Sequence, residues 1–306
     1  MTQLIFFILL VGLFIYGMTL LRSGLMNLSA DSLKIWLVKL TNAPWKGVIV
    51  GTLITAVLQS SSAVMIITIG LVSARMLSFP QSIGIILGTN IGTTFTTEII
   101  TFDIEAYLIP IAIIGSILAL MKKRNLRSTG FTLLGISCVF AAMRGFEYFA
   151  DTLKSIEFIN QLLLTLNESH LYAVLAGIVI TAIIQSSTAT TGIVMGFLTA
   201  GTMDLDTGIA IMLGSNIGTC VDAYLASIGS GREAKLSAYA HIWLNIIGVI
   251  IFYPFIGMLA AFGIQLASEA DVQLAHISVI FNVLSSLLVL PFASLFGKFI
   301  IRLHDR

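Results

Sequence analysis

Two short polar tetrapeptides stand out in an otherwise apolar chain. They are QSSS at residues 59–62 and QSST at residues 185–188, and each lies between two apolar stretches. Their hydroxyl groups donate hydrogen bonds, while the glutamine carboxamides both donate and accept them. Hydroxyl donors placed before the N-terminus of a helix suit an oxyanion, because the free amides there carry a partial positive charge. Both tetrapeptides are therefore candidate anion-binding tips.

A second pair of polar motifs follows the tetrapeptides by about thirty residues. These are GTNIGT at 88–93 and GSNIGT at 214–219. The carboxamides of Asn90 and Asn216 supply donors and acceptors, and the neighbouring hydroxyls add neutral oxygen atoms. Hard cations prefer oxygen ligands, and neutral ligands suit an ion that must be released again. The motifs therefore indicate a weak cation site beside the anion site.

The two sets of motifs belong to an internal repeat. Residues 51–93 align without a gap to residues 177–219, with 19 identities in 43 positions. Chance would give roughly 4 identities at a match rate of about one in ten. Weaker similarity extends the two units, which we place at residues 4–121 and 128–262.

The lengths of the apolar stretches predict how the polar motifs are held. A bilayer crossing needs about 20 apolar residues, and the stretches that flank each tetrapeptide are shorter. They predict re-entrant helical hairpins at residues 47–74 and 170–201. Segments 76–97 and 207–230 are long enough to cross, but the glycine-containing motifs interrupt them. We therefore predict two broken transmembrane helices, whose unwound backbone lines a cavity.

The remaining apolar segments complete a membrane domain that spans residues 1–306. They are residues 4–21, 106–121, 128–149, 236–262 and 272–301, the last being a final transmembrane helix. Seven crossings result, and three of them separate the two repeats, so the repeats must be inverted. The predicted fold is an all-α polytopic membrane protein with the inverted-repeat architecture of secondary transporters, two re-entrant hairpins and two broken helices.

The distribution of charge orients this topology. With the N-terminus outside and the C-terminus cytoplasmic, all lysines and arginines except Arg144 and Lys154 fall on the inner side, as the positive-inside rule requires. Arg22 is assigned to an inner loop by this scheme. Compactness and the lack of a sorting signal favour a multi-pass protein of a bacterial inner cell membrane.

Composition excludes several classes of function. With 57% hydrophobic and 10% charged residues and a mean hydropathy of +1.02, the chain is not a soluble domain. A net charge of +1 leaves no field for binding nucleic acid. Motifs of hydrolytic enzymes are missing, so the chain is not expected to be an enzyme. Cys138 and Cys220 lie in apolar runs and are expected to be buried thiols.

The duplicated motifs resemble the signature of the type II sodium/phosphate cotransporter family (Na/Pi cotransporter, PNaS). The resemblance covers nearly the whole chain and implies sodium-coupled symport of inorganic phosphate by alternating access, with sodium as the co-transported ion. It implies that phosphate contacts Gln59, Ser60, Ser61, Ser62, Asn90, Gln185, Ser186, Ser187, Thr188 and Asn216. It implies that sodium contacts Gln59, Thr89, Asn90, Thr93, Gln185, Ser186, Ser215, Asn216, Thr219 and Asp222.

The second repeat departs from the family pattern at two positions. Cys220 and Asp222 replace hydroxyl residues that the family has after the glycine motif. Asp222 is a carboxylate inside a predicted crossing, which indicates a functional site because burying a charge there is costly. We expect it to bind sodium together with Thr219. The alternative is that it lies near the inner end of the broken helix and pairs with Arg232 or Lys235 or caps a helix.

Several questions stay open at this level. A passive anion channel, or a sodium-coupled transporter of another small oxyanion, would need the same polar motifs. The sequence does not distinguish import from export, or a monomer from a homodimer. It also does not give the number of sodium ions per phosphate. His241 and His276 occur in similar contexts, AHIWLN and AHISVIFN, and either a functional or a packing role fits them.

The topology can be checked by labelling single cysteines with a membrane-impermeant reagent. Cysteines at Asp103, Glu157 and Glu269 should react from outside, and those at Arg124, Lys235 and Arg306 only from inside, because charge sorting places them so. Labelling of position 124 from outside would contradict the inverted repeats.

Overall fold

The computed structural model describes the backbone of residues 2–304, and the side chains of all these residues except 2, 4, 29–35, 151, 153 and 154. The side chain of Lys154 and the whole of Arg306 therefore lie outside the described part. The α-helices are, in order, α1 (Thr2–Lys39), α2 (Pro44–Leu58), α3 (Ser61–Ser73), α4 (Phe79–Ile99), α5 (Leu108–Ala119), α6 (Arg124–Lys154), α7 (Glu157–Glu168), α8 (His170–Ile184), α9 (Ser187–Thr199), α10 (Leu205–Gly218), α11 (Cys220–Ser227), α12 (Arg232–Phe252), α13 (Ile256–Leu266), α14 (Ala270–Val289) and α15 (Ala293–His304). The described chain contains no β-strand.

Long apolar helices confirm that the protein is an all-α polytopic membrane protein. Five segments of the described chain are long and apolar enough to cross a bilayer, namely Ile5–Leu28, Arg124–Ala150, Leu205–Ser227, Arg232–Leu266 and Ala270–His304. The sequence predicts seven crossings. The other two fall on α4, which has 21 residues but many polar ones, and on α5, which has only 12.

Two of these segments are bent at proline. A single 3₁₀ turn at Tyr253–Phe255 joins α12 to α13, and another at Leu290–Phe292 joins α14 to α15. Pro254 and Pro291 lie within these turns. Proline lacks an amide hydrogen and its ring clashes with the preceding turn, so each long helix bends there.

Glycine contacts show that α2 and α4 run parallel. Gly47 packs on Gly84, Gly51 on Gly88, and Gly92 on Thr55, so the contacts advance in the same direction along both helices. Because α3 connects them, α3 must run back past α2. The chain from 44 to 73 is thus a helical hairpin, with its tip at residues 59–62.

The second repeat has the same arrangement. Gly214 packs on the backbone of Val174, and Gly218 packs on Thr181 further along, so α8 and α10 are parallel and α9 returns between them. Small residues at such contacts allow two helix backbones to touch, which is the main way helices associate in a membrane. The halves of this hairpin are α8 and α9.

The prediction of two broken helices was wrong for the first repeat. In the second repeat the interruption is a single residue. Helix α4 is continuous from Phe79 to Ile99, through the motif at 88–93. In the second repeat only Thr219 separates α10 from α11, and it keeps right-handed helical angles. The glycines are there for contact, not for unwinding: a Cβ atom at Gly88 would lie 2.2 Å from the carbonyl oxygen of Val48.

The equivalent first helices of the repeats run antiparallel. Along the pair α1 and α6, Leu10 contacts Gly145, Gly17 contacts Cys138, and Gly24 contacts Thr132. Opposite directions of equivalent helices are what inverted repeats require. The position of the repeats relative to a bilayer stays a prediction.

Two elements differ from the sequence prediction. Helix α1 continues to Lys39 instead of ending near Leu21, so Arg22 lies inside a helix rather than in a loop. Residues Glu157–Glu168 form α7, an amphipathic helix that the sequence analysis missed, with Leu163 and Leu166 buried. The helix has 12 residues and one polar face, so its sequence lacks the long apolar run that marks a crossing.

Tight packing between α2 and α4 predicts a sharp difference between glycine variants. Gly88→Ala should destabilise the protein by about 1–3 kcal/mol, as overpacking does, because the new methyl group would meet backbone. Gly70→Ala is the control, since a Cβ atom on this α3 residue has open space within 4 Å. Thermal unfolding of the detergent-solubilised protein measures both, and equal midpoints would contradict the packing.

Candidate functional site

Both hairpin tips have the same unusual backbone. Gln59 has φ 52° and ψ 33°, and Gln185 has φ 57° and ψ 33°, which is the left-handed region. This conformation costs an L-residue about 1–2 kcal/mol and is normally taken by glycine. A glutamine that carries this cost at the same place in both repeats indicates that its carboxamide is needed there.

The serine after each glutamine caps the returning helix. The Ser60 hydroxyl accepts a hydrogen bond from the amide of Ala63, and the Ser186 hydroxyl accepts one from the amide of Ala189, each at 3.2 Å. The N-termini of α3 and α9 therefore begin at the tips, with further backbone amides directed there. Each tip combines hydroxyl groups with the positive end of a helix, as the sequence predicted.

A cation that the sequence analysis placed elsewhere lies at the first tip. The guanidinium of Arg22, on α1, donates from Nε to the carbonyl oxygen of Gln59 at 3.1 Å, in partly buried surroundings. Gln59 ends α2 in the left-handed conformation, which leaves its carbonyl oxygen outside the helical hydrogen-bond pattern. This oxygen is therefore free to accept a hydrogen bond from Arg22. The signal for Arg22 in the sequence was the lack of proline between Leu21 and Lys39, which allows α1 to continue.

The carboxylate of Asp222 joins the two repeats. Its Oδ2 accepts a hydrogen bond from the hydroxyl of Ser62 at the first tip. Arg22 and Asp222 also interact electrostatically. Arg22 and Asp222 thus both contact the first tip, and neither sequence-based alternative considered this cation.

The position of Asp222 brings the two tips toward each other. Gly218 packs on Thr181, one turn before the second tip, and Asp222 lies one turn beyond Gly218. The residue that bonds Ser62 of the first tip is therefore on the helix that flanks the second tip. Asp222 therefore connects the polar groups of the first repeat with those of the second.

The polar groups of the two repeats are not chemically equal. Gln59 is buried and its side-chain amide donates to the carbonyl of Ala56, while Gln185 is exposed and its side chain makes no described hydrogen bond. The repeat relates Asp222 to Thr96, whose buried hydroxyl has no hydrogen-bond partner. Charge is thus concentrated on the first tip, which both Arg22 and Asp222 contact.

The predicted sodium-site residues on α4 and α10 use their donors locally. The pairs are Thr89 Oγ1 to Ile86 O (2.8 Å), Thr93 Oγ1 to Thr89 O (2.9 Å), Ser215 Oγ to Met212 O (2.7 Å), Asn216 Nδ2 to Met212 O (2.9 Å) and Thr219 Oγ1 to Ser215 O (3.0 Å). Their donors are engaged, but their oxygen lone pairs remain available to a cation. Their role as sodium ligands stays a prediction, as does the role of Asn216 toward phosphate.

Asn90 faces a helix that the sequence analysis did not connect with it. Its amide donates to Oδ1 of Asn245 on α12 at 3.0 Å, and both residues are buried. Asn245 in turn donates to the backbone oxygen of His241 and to the sulfur of Cys220. Asn245 follows His241 by one helical turn in the motif AHIWLN, which was the available signal.

The histidines and cysteines take different environments. His241 is buried and its Nδ1 has no partner, whereas Nδ1 of His276 lies 2.9 Å from Oε1 of Glu98 at the end of α4. Cys220 is a buried thiol as expected, but Cys138 is only half-buried, and both are free. No cluster of metal-ligating side chains is found in the described residues.

Comparison with known families gives an independent result. The sequence profile of the Na⁺/Pi-cotransporter family matches residues 13–148 and again residues 145–287. The profile thus recognises each repeat separately and covers most of the chain. No solved structure matches the chain.

Individual relatives agree with this match. YqeW of Bacillus subtilis, which bears no functional name, is 38% identical over 300 residues, 98% of both chains. YjbB of Salmonella typhimurium, named for a proposed role in inorganic phosphate export, is 22% identical over 291 residues, 94% of this chain and 53% of its own. The sodium-dependent phosphate transport protein 2A of the rabbit, Oryctolagus cuniculus, is 31% identical over 126 residues, 38% of this chain and 20% of its own. This chain therefore spans about half of YjbB, and no relative supports a homodimer.

The left-handed glutamines predict an unusual response to mutation. Gln185→Gly should stabilise the protein by about 1 kcal/mol, because glycine adopts this backbone without strain. Arg75→Gly is the matched control, since Arg75 has φ 58° and lies away from the tips. Thermal unfolding should show an increase for both variants. A lower midpoint for Gln185→Gly alone would mean that the side chain itself stabilises the fold.

Proposed function

The chain belongs to the Na⁺/Pi-cotransporter family, and we propose that it moves inorganic phosphate across the cell membrane by sodium-coupled symport. Phosphate transport is the common activity of this family, which consists of transporters rather than enzymes. Sodium is the co-transported ion in the proposal. The observation that carries it is that Arg22 and Asp222 each contact a residue of the first hairpin tip in partly buried surroundings.

The anion-binding part of the proposal rests on Arg22 and the tips. A guanidinium offers a planar set of donors that fits phosphate, and such charge-assisted bonds are strong away from water. Ser61 and Ser62 lie beside it at the N-terminus of α3, whose amides add positive potential. Gln59, Gln185 and the hydroxyls of residues 186–188 complete the donor set.

Asp222 supplies the coupling to sodium. A carboxylate near Arg22 repels a phosphate dianion, so phosphate is held well only after a cation has neutralised Asp222. Sodium therefore binds first in this scheme, beside Asp222 and the oxygen of Thr219. Without ligands, Arg22 and Ser62 stabilise the carboxylate, which allows the charge to remain in the interior.

The inverted repeats offer a way for this site to open to each side in turn. Two structurally equivalent units of opposite direction can exchange conformations, so that the site faces one side and then the other. The glycine contacts keep α2 with α4, and α8 with α10, as units that can move together. Alternating access by these units completes the proposed mechanism.

Flux of radiolabelled phosphate into proteoliposomes tests the proposal. A sodium gradient should drive phosphate accumulation, and an equal potassium gradient should not. Phosphate flux at the same rate with and without the sodium gradient would instead establish a passive anion channel. Competition by arsenate or sulfate in the same vesicles identifies the preferred oxyanion, and half-maximal inhibition by sulfate at a far lower concentration than by unlabelled phosphate would overturn the choice of substrate.

Matched variants assign the residues in this assay. Arg22→Gln should weaken the apparent phosphate affinity about 10- to 100-fold, as expected for loss of a hydrogen bond to a charged group. Arg22→Lys should retain part of it. Asp222→Asn should weaken the dependence on sodium more than the affinity for phosphate, and unchanged sodium dependence would exclude Asp222 as a cation ligand.

The glutamine at the tip is tested with a control for backbone effects. Gln59→Gly should abolish coupled transport although its backbone strain is relieved. Arg75→Gly relieves the same strain outside the site and should transport normally. Normal transport by Gln59→Gly, at matched expression, would remove the carboxamide from the site.

The name of YjbB favours export as the direction in the cell. The vesicle assay decides this with gradients of either sign, since a symporter moves phosphate whichever way sodium flows. Phosphate efflux against an inward sodium gradient would favour an exporter with a different driving ion.

A further inference from the structure

A group of unpaired cations surrounds a surface cavity at the start of α6. The cavity has a volume of about 370 Å³ and is lined by Asn27, Lys122, Arg124, Arg127, Ser128 and Phe131. It lies between Asn27 on α1, the loop after α5, and the first turns of α6. In the described part of the chain none of these three cations makes an ion pair with an acidic residue.

The start of α6 lacks the groups that normally stabilise a helix N-terminus. No acidic residue occurs in its first turn. The carbonyl of Lys123 accepts from the amide of Arg127 at 3.0 Å, but a lysine side chain cannot accept from the remaining free amides. Instead, Arg124 and Arg127 add positive charge to the positive end of the helix dipole, which is unfavourable. An anion bound here would accept hydrogen bonds from the free amides and would offset the excess positive charge.

The surroundings of the cavity are apolar on the side of α5. Ile113, Ile117 and Leu120 are 55%, 53% and 87% exposed. Leu120 precedes Lys122 of the cavity by two residues, so this apolar surface ends close in the chain to the cationic cavity. Phe131 lies under the guanidinium of Arg127, 5.3 Å from the ring centre, and holds it at the rim.

From this combination we infer a binding site for an anionic phospholipid. The phosphate of the headgroup contacts Lys122, Arg124 and Arg127 together with the amides of α6, and the acyl chains lie along the exposed face of α5. Basic cavities next to membrane helices bind such headgroups through charge, and each cation near the surface contributes about 1 kcal/mol. Free phosphate shares the headgroup chemistry but gains nothing from the apolar face.

Native mass spectrometry with added phosphatidylglycerol tests this site. The triple variant Lys122→Gln, Arg124→Gln, Arg127→Gln should bind this lipid about 100-fold more weakly, from about fivefold for each charge. The control replaces Lys235, Lys298 and Arg302 by Gln, which changes net charge equally at three exposed cations elsewhere. The control should bind like the unmodified protein, and equal losses in both variants would show general surface charge instead of a site.

Two further probes separate a lipid from free phosphate. Phosphatidylcholine, which has no net charge, should bind at least tenfold more weakly than phosphatidylglycerol. Millimolar inorganic phosphate or glycerol phosphate should fail to displace the lipid. Displacement by either soluble anion would overturn the assignment to a lipid. The outcome is independent of the proposed transport function, because lipid binding is measured here without any flux of phosphate.

Discussion

Direct contact between helix backbones is the constraint on which the whole fold depends. At Gly88 and Gly214 a side chain would collide with a carbonyl oxygen of the neighbouring helix. These contacts hold α2 against α4 and α8 against α10 in parallel. A parallel pair linked by one short helix can be formed only if that helix runs back, so the contacts also produce the hairpins and their tips in the interior.

The tips can persist inside an apolar protein because their polar groups find partners. Ser60 and Ser186 satisfy the first amides of the returning helices, and Arg22 takes the carbonyl of Gln59. Asp222 in turn compensates Arg22. Since an unpaired charge in such surroundings costs several kcal/mol, the same contacts that stabilise the tips concentrate the groups that can bind an anion and a cation.

Duplication gives the protein two equivalent backbones, but the side chains have diverged. Both tips share the left-handed glutamine and the capping serine, whereas Asp222 corresponds to Thr96. Within the part of the chain that the structure describes, only the first tip is in contact with an arginine. A symmetric scaffold allows two equivalent conformations, while the asymmetric charge gives the substrates one preferred place. The arrangement explains how one fold can combine exchange between states with selective binding.

The sequence alone determined the all-α membrane fold, the duplication and the hairpin tips, because short apolar lengths and repeated polar motifs are local properties. It could not determine that α4 is continuous. A glycine-containing motif indicates a helix break unless the neighbouring helix that the glycines contact is known. It also placed Arg22 in a loop, because charge patterning assigns a side to each cation but not a partner. Only the tertiary structure brought Arg22, Ser62 and Asp222 together from three helices distant in the chain, where electrostatic attraction and burial decide the contact.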